Sequence, residues 1–267
     1  MDTRTRAFAI DDHRIATRRG SLFARSWQPS TEHALAPIVL FHDSLGSVEL
    51  WRDFPACLSE RTGRRVIAYD RLGFGHSDPH PDRLALDFIA AEADDAFAAV
   101  RRALDIDRFV LFGHSVGGGM AVNCAARHAE GCVALITEAA QAFVEDRTIA
   151  GIEDARKRFA APDQIARLAK RHGAKAQWVL DAWIKSWLAP EFAGWTLASV
   201  LPRVRCPLLV IHGADDEFGS PRHPALIGEL ASGTTRVEVM PDTRHVPHRD
   251  RMEAVLSIVD SFLVSVP

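Results

Sequence analysis

The feature that most constrains this chain is the alternation of short apolar runs with longer segments of helical periodicity. Five runs are rich in β-branched and other apolar residues and are bounded by glycine, proline or charge: Pro37–Phe41, Arg65–Tyr69, Phe109–Phe112, Cys132–Ile136 and Pro207–Ile211. A strand that is buried on both faces of a parallel sheet has this nearly continuous apolar pattern. Such strands, when they alternate with helices, predict a doubly wound, mostly parallel α/β sheet with right-handed crossovers.

The segments between these runs have helical spacing. In Leu84–Leu104 the apolar residues recur at intervals of three and four, with several acids on the other face, and residues 248–264 predict a last helix. Ser21–Trp27 alternates as a strand near the sheet edge, and Thr235–Met240 is the last strand pattern. A chain of 267 residues is a normal length for one α/β unit.

One region interrupts the alternation. Residues 143–202 lack a buried-strand run and predict helices instead, at Thr148–Phe159, Pro162–His172 and Ala174–Leu188. Four of the six tryptophans also fall in this region, namely Trp178, Trp183, Trp187 and Trp195. We therefore predict a helical cap at 143–202, inserted into an α/β core that consists of 1–142 and 203–267.

Composition argues against several classes of function. The net charge of -3 gives no basic surface for nucleic acid. No apolar run approaches the length that crosses a bilayer, and the N-terminus lacks the apolar segment of a secretory signal. The four cysteines show no metal-binding spacing. We expect a cytoplasmic protein without metal or cofactor, which binds neither nucleic acid nor membrane; the sequence leaves a homodimer open.

A candidate nucleophile lies in the pentapeptide GHSVG at 113–117, which has the pattern G-x-S-x-G around Ser115. The pentapeptide directly follows the apolar run at 109–112 and precedes a helical segment at 117–127. This strand–turn–helix context is what a nucleophile elbow requires, because a tight turn then projects the hydroxyl above the sheet edge. The alternative is a tight turn between strand and helix without a chemical role.

From the pentapeptide around Ser115 and four further segments, the chain resembles the α/β-hydrolase superfamily, in its serine-nucleophile, carboxylesterase-like branch. The resemblance spans Ser21 to Phe262. Besides 113–117 it rests on four segments in the family's order: FHDSLGS at 41–47, DRLGFGHS at 70–77, GADD at 213–216 and HVP at 245–247. It implies a hydrolase whose acid and histidine follow the serine along the chain.

The resemblance also assigns a base and an acid. It implies His245 as the general base for Ser115, because the family places its base between the last strand and the last helix. His248 is the rival base and is expected as a surface or capping residue of that helix. For the acid that orients the imidazole, the G-x-x-D spacing selects Asp216, and Glu138 at the end of an earlier strand is the alternative.

The same resemblance implies an oxyanion hole made of two backbone N–H groups, those of Ser44 and Val116. The chain departs from the family at Asp43, where glycine is usual. We expect His42 to be structural, and the carboxylate of Asp70 to bond backbone groups within its loop.

A serine nucleophile argues against the dehalogenases and epoxide hydrolases of this fold, which use aspartate. It leaves esterase, thioesterase, lactonase, carbon–carbon bond hydrolase, hydroxynitrile lyase and cofactor-free haloperoxidase chemistry. A low-turnover receptor for a small molecule is the alternative of another class, because fold does not fix function. We expect a carboxylic ester hydrolase that acts on a small, largely apolar molecule through an acyl-enzyme on Ser115.

The aromatic residues of the predicted cap either line the substrate pocket or form the cap's own core, and the sequence favours neither. The residues expected to line the pocket are Leu45, His114, Phe143, Trp183, Trp187 and Val246. The sequence carries no signal of a phosphate loop, a metal cluster or a charged cleft.

Overall fold

The computed structural model describes residues 9–30 and 35–266, and one mostly parallel sheet dominates this part of the chain. Its strands are β1 Ala9–Thr17, β2 Gly20–Gln28, β3 Ile38–Phe41, β4 Val66–Asp70, β5 Phe109–His114, β6 Cys132–Glu138, β7 Leu208–Gly213 and β8 Thr235–Met240. Their order across the sheet is β1-β2-β4-β3-β5-β6-β7-β8. β1 and β2 pair antiparallel, β2 also pairs antiparallel with β4, and every pair from β4 to β8 is parallel. The predicted doubly wound sheet is confirmed.

The helices are α1 Phe54–Thr62, α2 Phe88–Ala91, α3 Ala96–Ala103, α4 Val116–Arg127, α5 Asp146–Phe159, α6 Pro162–His172, α7 Ala176–Trp187, α8 Arg222–Leu230, α9 Pro247–Asp250 and α10 Met252–Leu263. Within residues 9–30 and 35–266, none of the helices combines the length and the apolar character that a membrane span requires.

Both faces of the sheet are covered, which explains the continuous apolar runs. Along β3, Ile38 and Leu40 belong to a cluster with residues of α1 and α10, whereas Val39 and Phe41 belong to a cluster with residues of α3 and α4. Successive side chains of a strand point to opposite faces, so a strand with helices on both sides buries every residue. The sheet therefore forms a rigid central layer, and the loops at its carboxyl edge are held by buried strands.

Helices α5, α6 and α7 occupy the region between β6 and β7, with bounds within two residues of those predicted. The two ends of this region are joined, because Phe143 and Thr196 form an isolated antiparallel bridge and the N–H of Leu197 donates to the carbonyl of Ala142 (2.7 Å). Joined ends are what an inserted cap requires, and the division into cap and core stays a prediction. Of the predicted core, residues 1–8, 31–34 and 267 lie outside the described residues.

Two helices that were predicted to be continuous are each divided in two, so these predictions are wrong. The helix expected over Leu84–Leu104 divides into α2 and α3, and the helix expected over 248–264 divides into α9 and α10. In the first case the interruption contains Glu92, which is buried and accepts a hydrogen bond from the Tyr69 hydroxyl (2.5 Å). An acid therefore lies on the inner side, whereas the periodic pattern placed the acids on the outer face.

Candidate active site

A sharp turn between β5 and α4 presents Ser115 at the carboxyl edge of the sheet. The backbone of Ser115 has φ 56° and ψ -125°, a conformation that side chains rarely adopt. Its flanking glycines are required by space, since a Cβ at Gly113 would lie 2.2 Å from the carbonyl oxygen of Gly117. A Cβ at Gly117 would lie 2.2 Å from the carbonyl oxygen of Phe41 in the neighbouring strand. The turn thus holds the hydroxyl in one place.

Three of the predicted residues meet at this edge. The Oγ of Ser115 lies 3.0 Å from Nε2 of His245, and Nδ1 of His245 lies 2.9 and 2.8 Å from the two carboxylate oxygens of Asp216. All three residues are buried. Asp216 follows β7 and His245 follows β8, so the carboxyl ends of three parallel strands bring the side chains together. This chain of hydrogen bonds can move a proton from the hydroxyl to the imidazole.

The carboxylate of Asp216 is held ionised. Its Oδ1 accepts the N–H groups of Phe218 (2.7 Å) and Gly219 (3.1 Å) as well as the contact with His245. Burial raises the pKa of Asp216, but the facing imidazole of His245 and the backbone donor outweigh burial, so that the net pKa is lowered. A fixed anion at Nδ1 orients the ring and favours the tautomer in which Nε2 is free to accept the proton of Ser115.

The alternative acid and the rival base form a second buried pair. Glu138 accepts the backbone N–H of His248 (2.8 Å), and its other oxygen lies 2.5 Å from Nδ1 of His248. Burial raises the pKa of Glu138, but the imidazole of His248 outweighs burial and lowers it. The expectation of a surface or capping role for His248 is wrong, because α9 turns its ring inward against Trp51, with ring centroids 4.7 Å apart. Glu138 is therefore the partner of His248, and Asp216 is the partner of His245.

His114 anchors the loop that carries His245. Its Nε2 donates to the carbonyl oxygen of His245 (2.7 Å), and its Nδ1 lies 3.4 Å from a carboxylate oxygen of Asp43. Burial lowers the pKa of His114, but the hydrogen bond to Asp43 and the charge of Glu138 outweigh it and raise the pKa overall. The hydrogen bond from Nε2 holds the loop of His245 in place. His114 was expected to line the pocket, and it is not among the residues that line the cavity above Ser115.

His114, Glu138 and His248 also have their ligand atoms within 4.8 Å of one another, a spacing that a metal ion could use. Each of the three, however, already has a hydrogen-bond partner within the protein. The contact of 2.5 Å between Glu138 and His248 is shorter than the separation of two ligands around one metal ion. The geometry fits a hydrogen-bonded anchor better than a metal centre.

The two backbone donors predicted for an oxyanion hole belong to residues near Ser115: Val116 follows it in the chain, and Ser44 lines the same cavity. Val116 begins α4, so its N–H has no carbonyl partner within the helix. Ser44 lies in the turn after β3, and this turn is stabilised by Asp43, whose carboxylate accepts the N–H of Leu45 (2.8 Å). The departure from glycine at position 43 is thereby explained, because an aspartate can cap the turn that glycine usually makes.

A cavity of about 220 Å³ opens above Ser115 and His245. Its other lining residues are Asp43, Ser44, Leu45, Gln141, Thr148, Ile152, Ala155, Arg158, Phe159, Trp183, Trp187 and Phe218. Of the residues predicted to line the pocket, three line this cavity: Leu45, Trp183 and Trp187. Phe143 and Val246 were also predicted to line the pocket, and neither lines this cavity. Phe143 stacks on His223, with ring centroids 4.3 Å apart, and Val246 ends the loop before α9. A larger cavity of about 650 Å³ lies beside α2 and α3, and its lining includes none of Ser115, Asp216 and His245.

Among the lining residues that the sequence did not predict, three bear on the chemistry of the site. Gln141 lies just after β6, and its Oε1 is 3.3 Å from the Oγ of Ser115. Phe218 packs on the imidazole of His245, with ring centroids 4.9 Å apart. Arg158 brings a cation to a lining that was expected to be uncharged. The position of Gln141 after a buried strand was a usable signal, since the loops at the carboxyl edge surround the site.

Comparisons with known proteins show the family and the fold of the chain. A family model described as the alpha/beta hydrolase fold matches residues 36–181, more than half of the chain. Serine hydrolase BPHL of Mus musculus is 31% identical over 245 residues, which cover 87% of this chain and 79% of that protein. A non-heme chloroperoxidase of Streptomyces lividans is 28% identical over 236 residues, which cover 76% and 82%. The structure of the enol-lactonase from Burkholderia xenovorans LB400 shares the fold, with a TM-score of 0.72 over 95% of this chain and 100% of that one at 20% identity.

Proposed function

The chain belongs to the α/β-hydrolase family, and we propose that within it the protein is a serine hydrolase that cleaves a carboxylic ester of a small molecule. The observation that carries the proposal is the continuous contact from Ser115 through His245 to Asp216, at 3.0 and 2.8 Å. This arrangement activates a hydroxyl that is otherwise a weak nucleophile. The similarity to a serine hydrolase over most of the chain supports the same class of reaction.

The reaction proceeds through an acyl-enzyme. The Oγ of Ser115 bonds to the carbonyl carbon while its proton passes to Nε2 of His245. The N–H groups of Ser44 and Val116 stabilise the negative charge that develops on the carbonyl oxygen. The imidazolium returns the proton to the alcohol oxygen as the carbon–oxygen bond breaks. Water then attacks the acyl-enzyme by the same route and releases the acid and the free serine.

The size and the lining of the cavity favour a small acyl group. At about 220 Å³ it lies below the range of roughly 300–1,000 Å³ that is usual for sites of drug-sized ligands. Its walls include Leu45, Ile152, Trp183 and Trp187, so the part of the substrate next to the scissile bond is apolar. We treat α5 and α7 of the predicted cap as the roof of this site.

A chain-length series of p-nitrophenyl esters tests the proposal, with a homoserine lactone and a ring-cleavage dienoate assayed beside it. We expect the highest kcat/KM on short esters, and a loss of several orders of magnitude in Ser115→Ala, since the residues of a triad act as a unit. A fluorophosphonate should label the wild type and leave Ser115→Ala unlabelled. Rapid cleavage of the dienoate or the lactone without ester turnover would contradict the ester assignment, and binding without steady-state turnover of any substrate would indicate a receptor.

A further inference from the structure

The last turn of α5 carries three basic residues in succession, and they do not have the same surroundings. Arg156 pairs with Glu153 (2.5 Å), and Lys157 pairs with Asp154 (3.0 Å), both at a spacing of three residues. Arg158 has no acid three residues before it, because that position is Ala155. Both Ala155 and Arg158 line the cavity above Ser115. Two of the three cations are thus paired within the helix, and the third, Arg158, is exposed at the edge of the cavity.

The guanidinium of Arg158 has no hydrogen bond or ion pair within the described part of the chain. The residues of α5 that line the cavity beside it are Thr148, Ile152, Ala155 and Phe159, which share one helix face. An unpaired guanidinium at the edge of a largely apolar lining offers a planar, permanent cation with several donors. A carboxylate fits this group best, because the two form parallel charge-assisted hydrogen bonds.

The direction of the helix places Arg158 at the opposite end of α5 from Thr148, which contacts Phe218 beside His245. Near the start of α5, Thr148 donates its hydroxyl to the carbonyl of Phe218 (2.7 Å), whose ring packs on His245. Arg158 lies about 15 Å further along the axis at 1.5 Å per residue, before its side chain reaches back along the helix. A substrate that spans the cavity therefore presents one end to Ser115 and the other to Arg158.

We propose that the substrate is an ester of a dicarboxylic acid, with a free carboxylate that Arg158 binds at the end remote from the scissile bond. This inference rests on the proposed function, because it assigns the substrate class of the same site. It revises the expectation of an uncharged cleft: the middle of the substrate is apolar, and its remote end is anionic.

The test uses mono-p-nitrophenyl esters of succinate, glutarate, adipate and pimelate, each beside the neutral methyl ester of its free acid. We expect wild type to prefer at least one acid over its methyl ester by about tenfold in kcat/KM, the size of one charge-assisted hydrogen bond. Arg158→Gln should remove this preference and leave the methyl esters within about twofold of wild type. Arg156→Gln, two residues away in the same helix and paired with Glu153, is the matched control and should keep the preference.

The outcomes separate this inference from the function on which it rests. Turnover of neutral esters without any preference for the acids would overturn the substrate class and leave the serine hydrolase standing. An equal loss on acids and methyl esters in Arg158→Gln, or the same loss in Arg156→Gln, would overturn the role of Arg158. No turnover of any ester by wild type would contradict the proposed function itself.

A second, independent observation concerns the peptide that joins Asp43 and Ser44. Its carbonyl oxygen accepts three donors: Nη2 of Arg71 (2.7 Å), Nδ1 of His42 (2.8 Å) and the N–H of Gly46 (3.2 Å). The N–H of the same peptide is that of Ser44, the proposed oxyanion donor. Because the peptide group is planar and trans, fixing its oxygen also fixes the direction of its N–H.

The surroundings of Arg71 hold its guanidinium beside the Asp43–Ser44 peptide. It is buried, its Nε donates to Nε2 of His42 (3.3 Å), and its guanidinium lies over the ring of Phe74 at 4.4 Å. Burial and the charge of Arg71 lower the pKa of His42 well below its usual value, so the imidazole is neutral and its Nδ1–H can donate to Asp43. A cation bonded to one end of a peptide polarises it and strengthens donation at the other end.

We infer that Arg71 is a positioning residue for the oxyanion hole, acting through the Asp43–Ser44 peptide. Arg71→Lys keeps a charge but loses the fork that reaches both His42 and the peptide oxygen. We expect kcat to fall about tenfold, less than the 10²–10³ that follows direct loss of an oxyanion donor, while KM stays within about twofold. Affinity for a trifluoromethyl ketone analogue of the best ester should fall in parallel with kcat, because its serine adduct carries the oxyanion.

Two outcomes would refute this inference. The first is a fall in kcat with unchanged affinity for the trifluoromethyl ketone, and the second is a rise in KM alone. If Arg71→Lys does not fold, His42→Gln provides the same comparison, because it removes another donor to the same oxygen. Near-wild-type kinetics and ketone affinity in His42→Gln would then refute the role of this network. A wild type without ester turnover would instead contradict the function.

Discussion

The exchange of Asp216 for asparagine gives the most decisive test of the site, because the structure dictates how the amide must sit. Oδ1 of Asp216 accepts two backbone N–H groups, those of Phe218 and Gly219. In Asp216→Asn the amide oxygen has to take this position, since an NH₂ group there would face two donors. The NH₂ group then occupies the position of Oδ2, 2.8 Å from Nδ1 of His245.

The consequence is a change of tautomer in His245. The NH₂ group lies closer to Nδ1 than the amide oxygen does, at 2.8 against 2.9 Å, so it favours the tautomer in which Nδ1 accepts and Nε2, which faces Ser115, carries the ring proton. A protonated Nε2 cannot take the proton of the hydroxyl. We expect kcat to fall by about 10⁴, equivalent to about 5 kcal/mol. The free energy of unfolding should fall by only about 1 kcal/mol, because the change exchanges one charge-assisted hydrogen bond for a neutral one.

The matched control is Glu138→Gln, which makes the same chemical change in the other buried pair of carboxylate and imidazole. Its partner is His248 and not His245, so we expect a loss in kcat of no more than about tenfold. Both variants are assayed by steady-state hydrolysis of a p-nitrophenyl ester, with melting temperature as the measure of folding. A larger loss in Glu138→Gln than in Asp216→Asn would refute the assignment of the acid.

Two further predictions concern stability. Gly117→Ala should lower the free energy of unfolding by about 2 kcal/mol or more, because the new Cβ would lie 2.2 Å from a backbone carbonyl, that of Phe41. Gly194→Ala, where nothing lies within 4 Å, should stay within about 0.5 kcal/mol, and equal melting temperatures for the two variants would contradict the steric argument. The second prediction is a pH dependence: because the pKa of Glu138 is lowered from 4.5, its stabilisation is present above pH 4.5 and is lost as the pH falls through the folded pKa. Urea unfolding at about pH 7 and about pH 4 should therefore show a smaller loss at acid pH in Glu138→Gln than in wild type, and an equal loss would count against this pair.

The sequence predicted the sheet well because burial on both faces leaves a strong local signal. The runs at Phe109–Phe112 and Pro207–Ile211 correspond to β5 and β7, with shifts of one or two residues at the ends. The elbow at Ser115 was equally visible, since it depends on glycines that are adjacent in the chain. The sequence signal of each feature lies within a few positions of the chain, and one sequence is then sufficient to predict it.

The histidines show where such reasoning fails. His248 was expected at the surface, and His114 was expected in the pocket, yet both are buried around Glu138. A histidine ring is aromatic and polar in both of its protonation states and changes charge near neutral pH, so its hydropathy does not decide between surface and core. What decides is a partner that is remote in the chain: Glu138 for His248, and Asp43 together with the carbonyl of His245 for His114.

The proposed carboxylate site at Arg158 is harder to predict from sequence than Ser115, His245 and Asp216 are, because it depends more strongly on tertiary packing. The ion pairs of Arg156 and Lys157 follow a spacing that the sequence displays, and so does the absence of an acid three residues before Arg158. Only the packing of α5 over Ser115, however, turns that absence into a free cation at a cavity. The triad defines the reaction at one end of the cavity, and the helices over it define which molecules reach that end. If Arg158 binds a carboxylate as proposed, the substrate preference of this chain is set on the inner face of α5 and not at the nucleophile elbow.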